Sequence, residues 1–430
     1  MFQRIVRGLE LTLILFILAS IVGYSNPSLT DEIEKVRTYT RQIEFNYVSW
    51  MGNAAMIKLR AASIGAPYTL ARATQKQIVT EYLRITQAIL EKEYQLEQIY
   101  ADATIVDKEL ASEEVRGELA VLYSRQKELA PLSESVLQDQ VSQILAEIGL
   151  TSIGQSLPNV WYHSTPLPYA LIVSPRDRIE QIANISVNTD ITIDEQAALE
   201  GRVDEGLNTS SLVVPIGGVG VYPTMVMRST NLPWLLNTIS HEWIHNYLTL
   251  RPLGFLYSET PELRTMNETT ASIAGDEIGG LVIERFYPEL MTASHPSTAL
   301  RTSLSLVSAP LGHPEPGDFL RPPFDFREQM HETRITVDSL LAEGKIEEAE
   351  AYMEERRLVF LQNGYLLRKI NQAYFAFHGA YADSPGGAAG EDPVGPAVRA
   401  LREQSDSLAD FVNTISWMTS FEQLQEAVNQ

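Results

Sequence analysis

The chain has 430 residues, 44% of them apolar, and its 33 Lys and Arg against 55 Asp and Glu give a formal net charge of −22. That length predicts two folded units rather than one core, and so acidic a surface repels a polyanion, which argues against a nucleic-acid partner. The absence of cysteine excludes disulfides, thiolate metal ligands, a cysteine nucleophile and a lipidated-cysteine anchor.

At the N-terminus, Arg4 and Arg7 precede an apolar run from Leu11 to Tyr24. Basic residues stay on the cytoplasmic side, so the rest of the chain is expected to face outward. The run is short for a full span. Residues 1–26 therefore read as a signal anchor or a signal peptide, which places the protein at the cell membrane, or secreted if the leader is cleaved.

Residues 27–150 carry helical periodicity almost throughout. Ile33, Val36, Ile43, Tyr47, Ala54 and Ile57 fall on one 3.6-residue stripe, and Ile78, Tyr82, Ile85, Ile89, Leu96 and Ile99 on a second. Gly65 and Pro67 stand between them and predict an antiparallel hairpin. Two shorter stripes follow, Leu110 to Leu122 and Leu137 to Ile148.

The pattern changes over 151–430. "WYHSTPLPYALIVSP" and "ANISVNTDITI" are β-type runs, "DEQAALEGRVDEGL" is helical, and "SSLVVPIGGVGVYPTMVMRS" reads as a hairpin or a pair of edge segments. Pro215 and Pro223 argue against a central strand there. Next comes "NLPWLLNTISHEWIHNYL", a helix with Pro233 early in it. "NETTASIAGDEIGGLVIERF" predicts another helix. After a Pro-rich loop, two long helices are expected, about 327–343 and 345–382 with the break at Gly344, before "DSPGGAAGEDPVGP" and one or two closing helices.

Within the first of these helices, "HEWIH" places His241 and His245 one turn apart on one face, where two imidazole nitrogens can meet at one point. Glu242 projects about 100° away, in reach of a water rather than of the ion. A zinc ion lowers the pKa of such a water and a glutamate takes its proton. Glu242 is also the only formally charged side chain between Arg228 and Arg251. A carboxylate amid Ile239, Trp243, Ile244 and Leu248 is costly without such a purpose.

Zinc needs a third protein ligand. A histidine at 251 would complete a three-histidine motif, but that position is Arg251. Glu259, Glu262, Glu268 and Glu277 remain, and Glu268 is favoured, at the start of a helix whose Ile273, Ala274, Leu281 and Val282 can pack on the motif helix. Ser272 and Asp276, further along the same face, are candidates to hydrogen-bond a ligand imidazole.

These residues resemble a gluzincin, the thermolysin-like class of zinc metallopeptidases, in which H-E-x-x-H is completed by a glutamate from a later N-E-x-x-A helix. The likeness is greater to a family of putative aminopeptidases of bacterial envelopes. Its later N-N-A-x-L…Y helix is matched by "NQAYFAFHGAYA", with Asn371 and Tyr381 at the corresponding ends and Gln372 in place of the second Asn. The resemblance covers about 230–425. It implies that Tyr381 donates to the developing oxyanion, with Tyr374 and His378 on the same helix as alternatives and His331 and His163 further behind. It also implies that "SLVVPIGGVGVYPTMVMRS" offers an edge strand to an extended substrate. His295 and His313 have no partner spacing.

The expected fold class is α+β and helix-rich: a zincin-like catalytic unit at 151–430 with a small mixed sheet, preceded by an all-α hairpin unit at 27–150 and the N-terminal membrane segment. The expected function is a membrane-anchored, extracytoplasmic zinc peptidase acting on peptide or protein. Zn2+ would be held by His241, His245 and Glu268, with Glu242 and Tyr381 catalytic. The alternatives are a non-catalytic envelope scaffold with a structural zinc, and a zinc hydrolase of non-peptide amides.

Overall fold

A computed structural model describes residues 31–101, 105, 107–151, 154–293, 324–382 and 387–429. The apolar run Leu11–Tyr24, the histidines at 295 and 313 and most of the Pro-rich loop lie outside them. Among the described residues no helix is long and apolar enough to cross a membrane.

Helix α1 (Glu32–Thr40) starts at Asp31, whose carboxylate accepts from the Ile33 N–H. The stripe expected to continue to Ile57 breaks here. Residues 43–46 run alongside strand β3, described below: Phe45 N–H donates to the Ser186 carbonyl at 2.9 Å and Asn188 N–H to that of Ile43 at 2.8 Å. No Gly or Pro marks the break; the pairing is made by residues about 140 positions away, which local periodicity does not register. The helical arm proper is α2 (Tyr47–Ile64), α3 (Arg72–Ala101) and α4 (Glu113–Glu147). The hairpin pairs α3 with α4 rather than α2 with α3. The last two stripes prove to lie largely on one 35-residue helix that continues through Pro131.

Two three-stranded sheets follow, where one was expected. Strands β1 (Tyr162–Ser164), β2 (Tyr169–Pro175) and β3 (Ala183–Val187) precede helix α5 (Ile193–Leu207), which opens with a capping box between Thr192 and Glu195. Then come β4 (Thr209–Pro215), β5 (Gly218–Val219) and β6 (Thr224–Val226). One sheet is antiparallel in the order β3-β2-β4; the other is mixed, β1-β6-β5, with β1 parallel to β6. The chain leaves the first sheet at Pro215, which supplies no N–H to continue the ladder, and enters the second at Gly218.

The motif helix α6 (Leu232–Thr249) lies against α7 (Pro261–Phe286). A Cβ at Gly275 would stand 3.0 Å from the His241 backbone N and Cβ, tighter than ordinary contact, so glycine suits this close approach. The packing face runs through Ala271, Ala274, Ile278 and Val282, whereas Leu281 is exposed. Helices α8 (Phe326–Ala342), α9 (Ile346–Gln362) and α10 (Gln372–His378) follow, then α11 (Val394–Gln404), α12 (Leu408–Ser416) and α13 (Phe421–Val428). The single helix expected over 345–382 is thus two. Asn371, with its side chain accepting from Tyr374 N–H, starts a new one, and Tyr381 lies beyond its end.

Leu137, Val141 and Leu145 of α4 share one core with Leu236, Ile239 and Trp243 of α6 and with Met266 and Ile278 of α7. The fold is helix-rich α+β with small sheets.

A buried ion pair ties the arm to β1. Lys58 and Glu134 have side chains 1% and 0% exposed, and Glu134 also accepts from His163 Nδ1 at 3.0 Å and from Ser164 N–H at 2.8 Å. Burial acts to raise the Glu134 carboxyl, but Lys58 and His163 bring it down to about 2 from 4.5. Its stabilising contribution is full above pH 4.5 and disappears as the pH falls through about 2. Glu134→Gln strands a buried ammonium and lowers stability by about 3–5 kcal/mol, visible as an earlier denaturant midpoint at neutral pH. An unchanged midpoint would show the junction to be incidental.

Candidate metal centre

Asn231 caps α6 by accepting from Trp234 N–H at 3.0 Å, and the buried face of the helix orients both histidines toward α7. His245 Nε2 stands 3.0 Å from His241 Nε2. The Glu268 Oε2 atom stands 3.4 Å from the first and 3.7 Å from the second. Zinc bonds of about 2.0–2.1 Å at tetrahedral angles put ligand atoms about 3.3 Å apart, the spacing these three atoms bracket.

Two further observations fit a cation there. His245 Nδ1 lies 2.7 Å from Asn267 Oδ1, an acceptor, so Nδ1 carries a proton and Nε2, beside His241 Nε2, is the nitrogen left to bind a cation. Glu268 Oε2 is buried and has no hydrogen-bond partner among the described residues. Its separations from the two rings are too long and poorly aligned for firm hydrogen bonds, and an orphaned buried carboxylate oxygen is expensive. Burial acts to lower His245, but Glu268 overrides it and pushes the imidazole up to about 9. Burial acts to raise Glu268, and the two rings hold it well below the usual carboxylate range. The site concentrates negative potential where the three atoms converge.

Glu268 is not at a helix start. Thr260 caps α7 and Pro261 opens it, so Glu268 sits two turns in, where it is 5% exposed. The capping signal "TPE" at 260–262 marks this start in the sequence. Of the other glutamates considered, Glu277 pairs with Arg402 at 2.7 Å and Glu259 and Glu262 are exposed. Among the described residues Ser272 Oγ has no hydrogen-bond partner, and Asp276 accepts from Asn237 at 2.8 Å; the residue seen orienting the His245 ring is Asn267.

Tyr257 clamps Glu268, the candidate third ligand: its hydroxyl donates to Glu268 Oε1 at 2.5 Å. The buried Arg264, one turn before Glu268, reaches the Tyr257 hydroxyl at 3.4 Å and the Ala376 carbonyl at 2.7 Å, joining α7 to the end of α10. Tyr257 stands in an irregular connector, and no periodicity points to it. Tyr257→Phe frees Glu268 Oε1 and lowers zinc affinity about 10- to 100-fold, measurable by competition with a chromophoric chelator; wild-type affinity would remove the clamp from the site.

Glu242 is nine-tenths buried, and burial raises its carboxyl while His241 and His245 act to lower it. It faces the Gly217–Gly220 segment of the outer strand β5. A Cβ on Gly218 would lie 2.8 Å from Glu242 Cγ and Cδ. The stretch "SSLVVPIGGVGVYPTMVMRS" reads as a hairpin or a pair of edge segments; within it, β4 and β5 are edges of the two different sheets. Tyr381 lines the same cavity with its ring 6.4 Å from that of His241, stacked at 28°. Burial and Glu268 hold its phenol well above the usual value, so it remains a donor. His378 also lines the cavity, with burial and then Arg264 lowering it to about 4, hence neutral. Tyr374 packs on the His378 ring at 4.4 Å. His163 is engaged with Glu134, and His331 lies away from the cavity.

The cavity encloses about 730 Å³ between β5, α6, α7 and the end of α10, enough for several substrate residues. Compared with known protein families, curated proteins and solved structures, the chain matches none.

Proposed function

We propose that this chain is a zinc-dependent peptidase of gluzincin type, its N-terminal segment anchoring it in the membrane and its catalytic unit outside the cytoplasm. The observation that carries the reading is the convergence of His241, His245 and Glu268, whose ligand atoms lie within 4.8 Å of one another, next to the buried Glu242 in an open cavity. Among the described residues that group has three members, which supports an open coordination position rather than the closed set of a structural site.

Zinc held there supplies a Lewis acid that polarises the scissile carbonyl and acidifies a water. Glu242, its basicity raised by burial, takes the proton of the attacking water and returns it to the leaving amine. Tyr381 donates its hydroxyl proton in a hydrogen bond to the oxygen on which charge develops. The edge strand β5 offers backbone groups to an extended substrate, and Asn267 and Tyr257 hold His245 and Glu268 in place.

Metal analysis of the full-length chain in detergent, with a peptide-library digest, tests this. One zinc per chain is expected, with cleavage abolished by a chelator and restored by equimolar zinc. Zinc bound with no peptide cleaved would redirect the assignment to the structural-zinc scaffold, or to a hydrolase of other amides if such an amide is cut.

A further inference from the structure

The arm does more than pack. Residues 43–46 cover the outer edge of β3, with Glu44 bridged to Val187, and this pairing delivers Tyr47 to the rim of the cavity at the start of α2. The Tyr47 hydroxyl meets Ser186 Oγ at 2.8 Å. Both residues line the cavity with Asn184, two positions along β3 on the same face, and with Ala170, the cross-strand neighbour of Ser186. Glu242 lines the same cavity, and its charge acts to raise the Tyr47 phenol, after the larger effect of burial.

The wall carries hydrogen-bonding capacity and no formal charge. Two hydroxyls share one hydrogen bond, leaving one O–H free to donate. The Asn184 amide, with two donors and an acceptor, is exposed and makes no hydrogen bond among the described residues. None of these three side chains carries a formal charge with which a charged substrate side chain could pair. An apolar one would cover the free donors.

Building on the peptidase reading, we propose that Tyr47, Ser186 and Asn184 form the specificity subsite and select a substrate residue flanking the scissile bond that bears an amide or hydroxyl side chain. The arm is then a specificity element of the enzyme.

The test is a peptide-library digest with the zinc-loaded full chain, Tyr47→Phe and Asn184→Leu, together with calorimetric binding of the best peptide and its leucine counterpart to Glu242→Gln. Zinc content is measured for every protein. The wild type is expected to favour Asn, Gln, Ser or Thr at one position. Asn184→Leu should lower kcat/KM for those peptides about 10- to 100-fold and raise it for leucine, and Glu242→Gln should bind the polar peptide at least about tenfold tighter. Asn184 is exposed, so that variant decides the matter if Tyr47→Phe does not fold. Cleavage with an unchanged preference in Asn184→Leu overturns the subsite and leaves the peptidase standing. If zinc-loaded wild type cleaves nothing, both fall.

Discussion

Glu242→Gln lowers kcat by about 10²- to 10⁴-fold while zinc content and substrate binding stay at wild-type levels. Glutamine keeps the shape of the side chain and its contacts with the β5 glycines, but it has no carboxylate to receive a proton. Burial raises the Glu242 carboxyl, so keeping it ionised near neutral pH opposes folding. A carboxyl whose folded pKa lies above its unfolded value destabilises the fold once the pH exceeds the unfolded value. The variant is therefore at least as stable as wild type in its metal-free form, and activity and stability move in opposite directions. Kinetics on the variant, metal analysis and thermal melts of the metal-free proteins check all three. Full activity in Glu242→Gln would remove the general base and with it the peptidase mechanism.

Gly218→Ala lowers kcat on the order of 100-fold with zinc retained. The new Cβ would lie 2.8 Å from Glu242 Cγ and Cδ, inside van der Waals contact, so the carboxylate swings off its position. His241, His245 and Glu268 are untouched by that movement, which is why metal binding persists. A shift of about 1 Å in a catalytic group is enough for a loss of this size. The comparison with Glu242→Gln is informative, since the double variant should be no slower than the single glutamine variant: the two changes remove one function. An additive loss would assign Gly218 a separate role, such as backbone contact with substrate along β5.

Much of the centre is local in origin. His241, Glu242 and His245 lie within one and a half turns of one helix, and helical geometry alone sets which of them share a face. The cap at Asn231 and Pro233 and the apolar flanks of α6 are legible for the same reason. In the sequence Glu268 is one of four acids that follow the motif, favoured by a helix read as starting at "NETTA". The earlier cap at Thr260 puts it two turns in. Gly275 makes the difference, since its missing side chain lets α7 approach α6 to within a carboxylate's reach.

Composition, motif spacing and periodicity determined the helix-rich character, the acidic surface, the absence of thiol chemistry and the paired imidazoles, because each depends on residue type or on neighbours within a turn or two. Tertiary structure alone decided that α3 and α4 form the hairpin, that residues 43–46 leave the helical pattern to cover β3, that Tyr257 and Asn267 hold Glu268 and His245, and that Tyr381 lies beyond its helix beside His241. Each of these depends on groups brought together by burial from distant positions. The free energy of such contacts belongs to the packed pair and leaves no periodic trace in either segment of sequence.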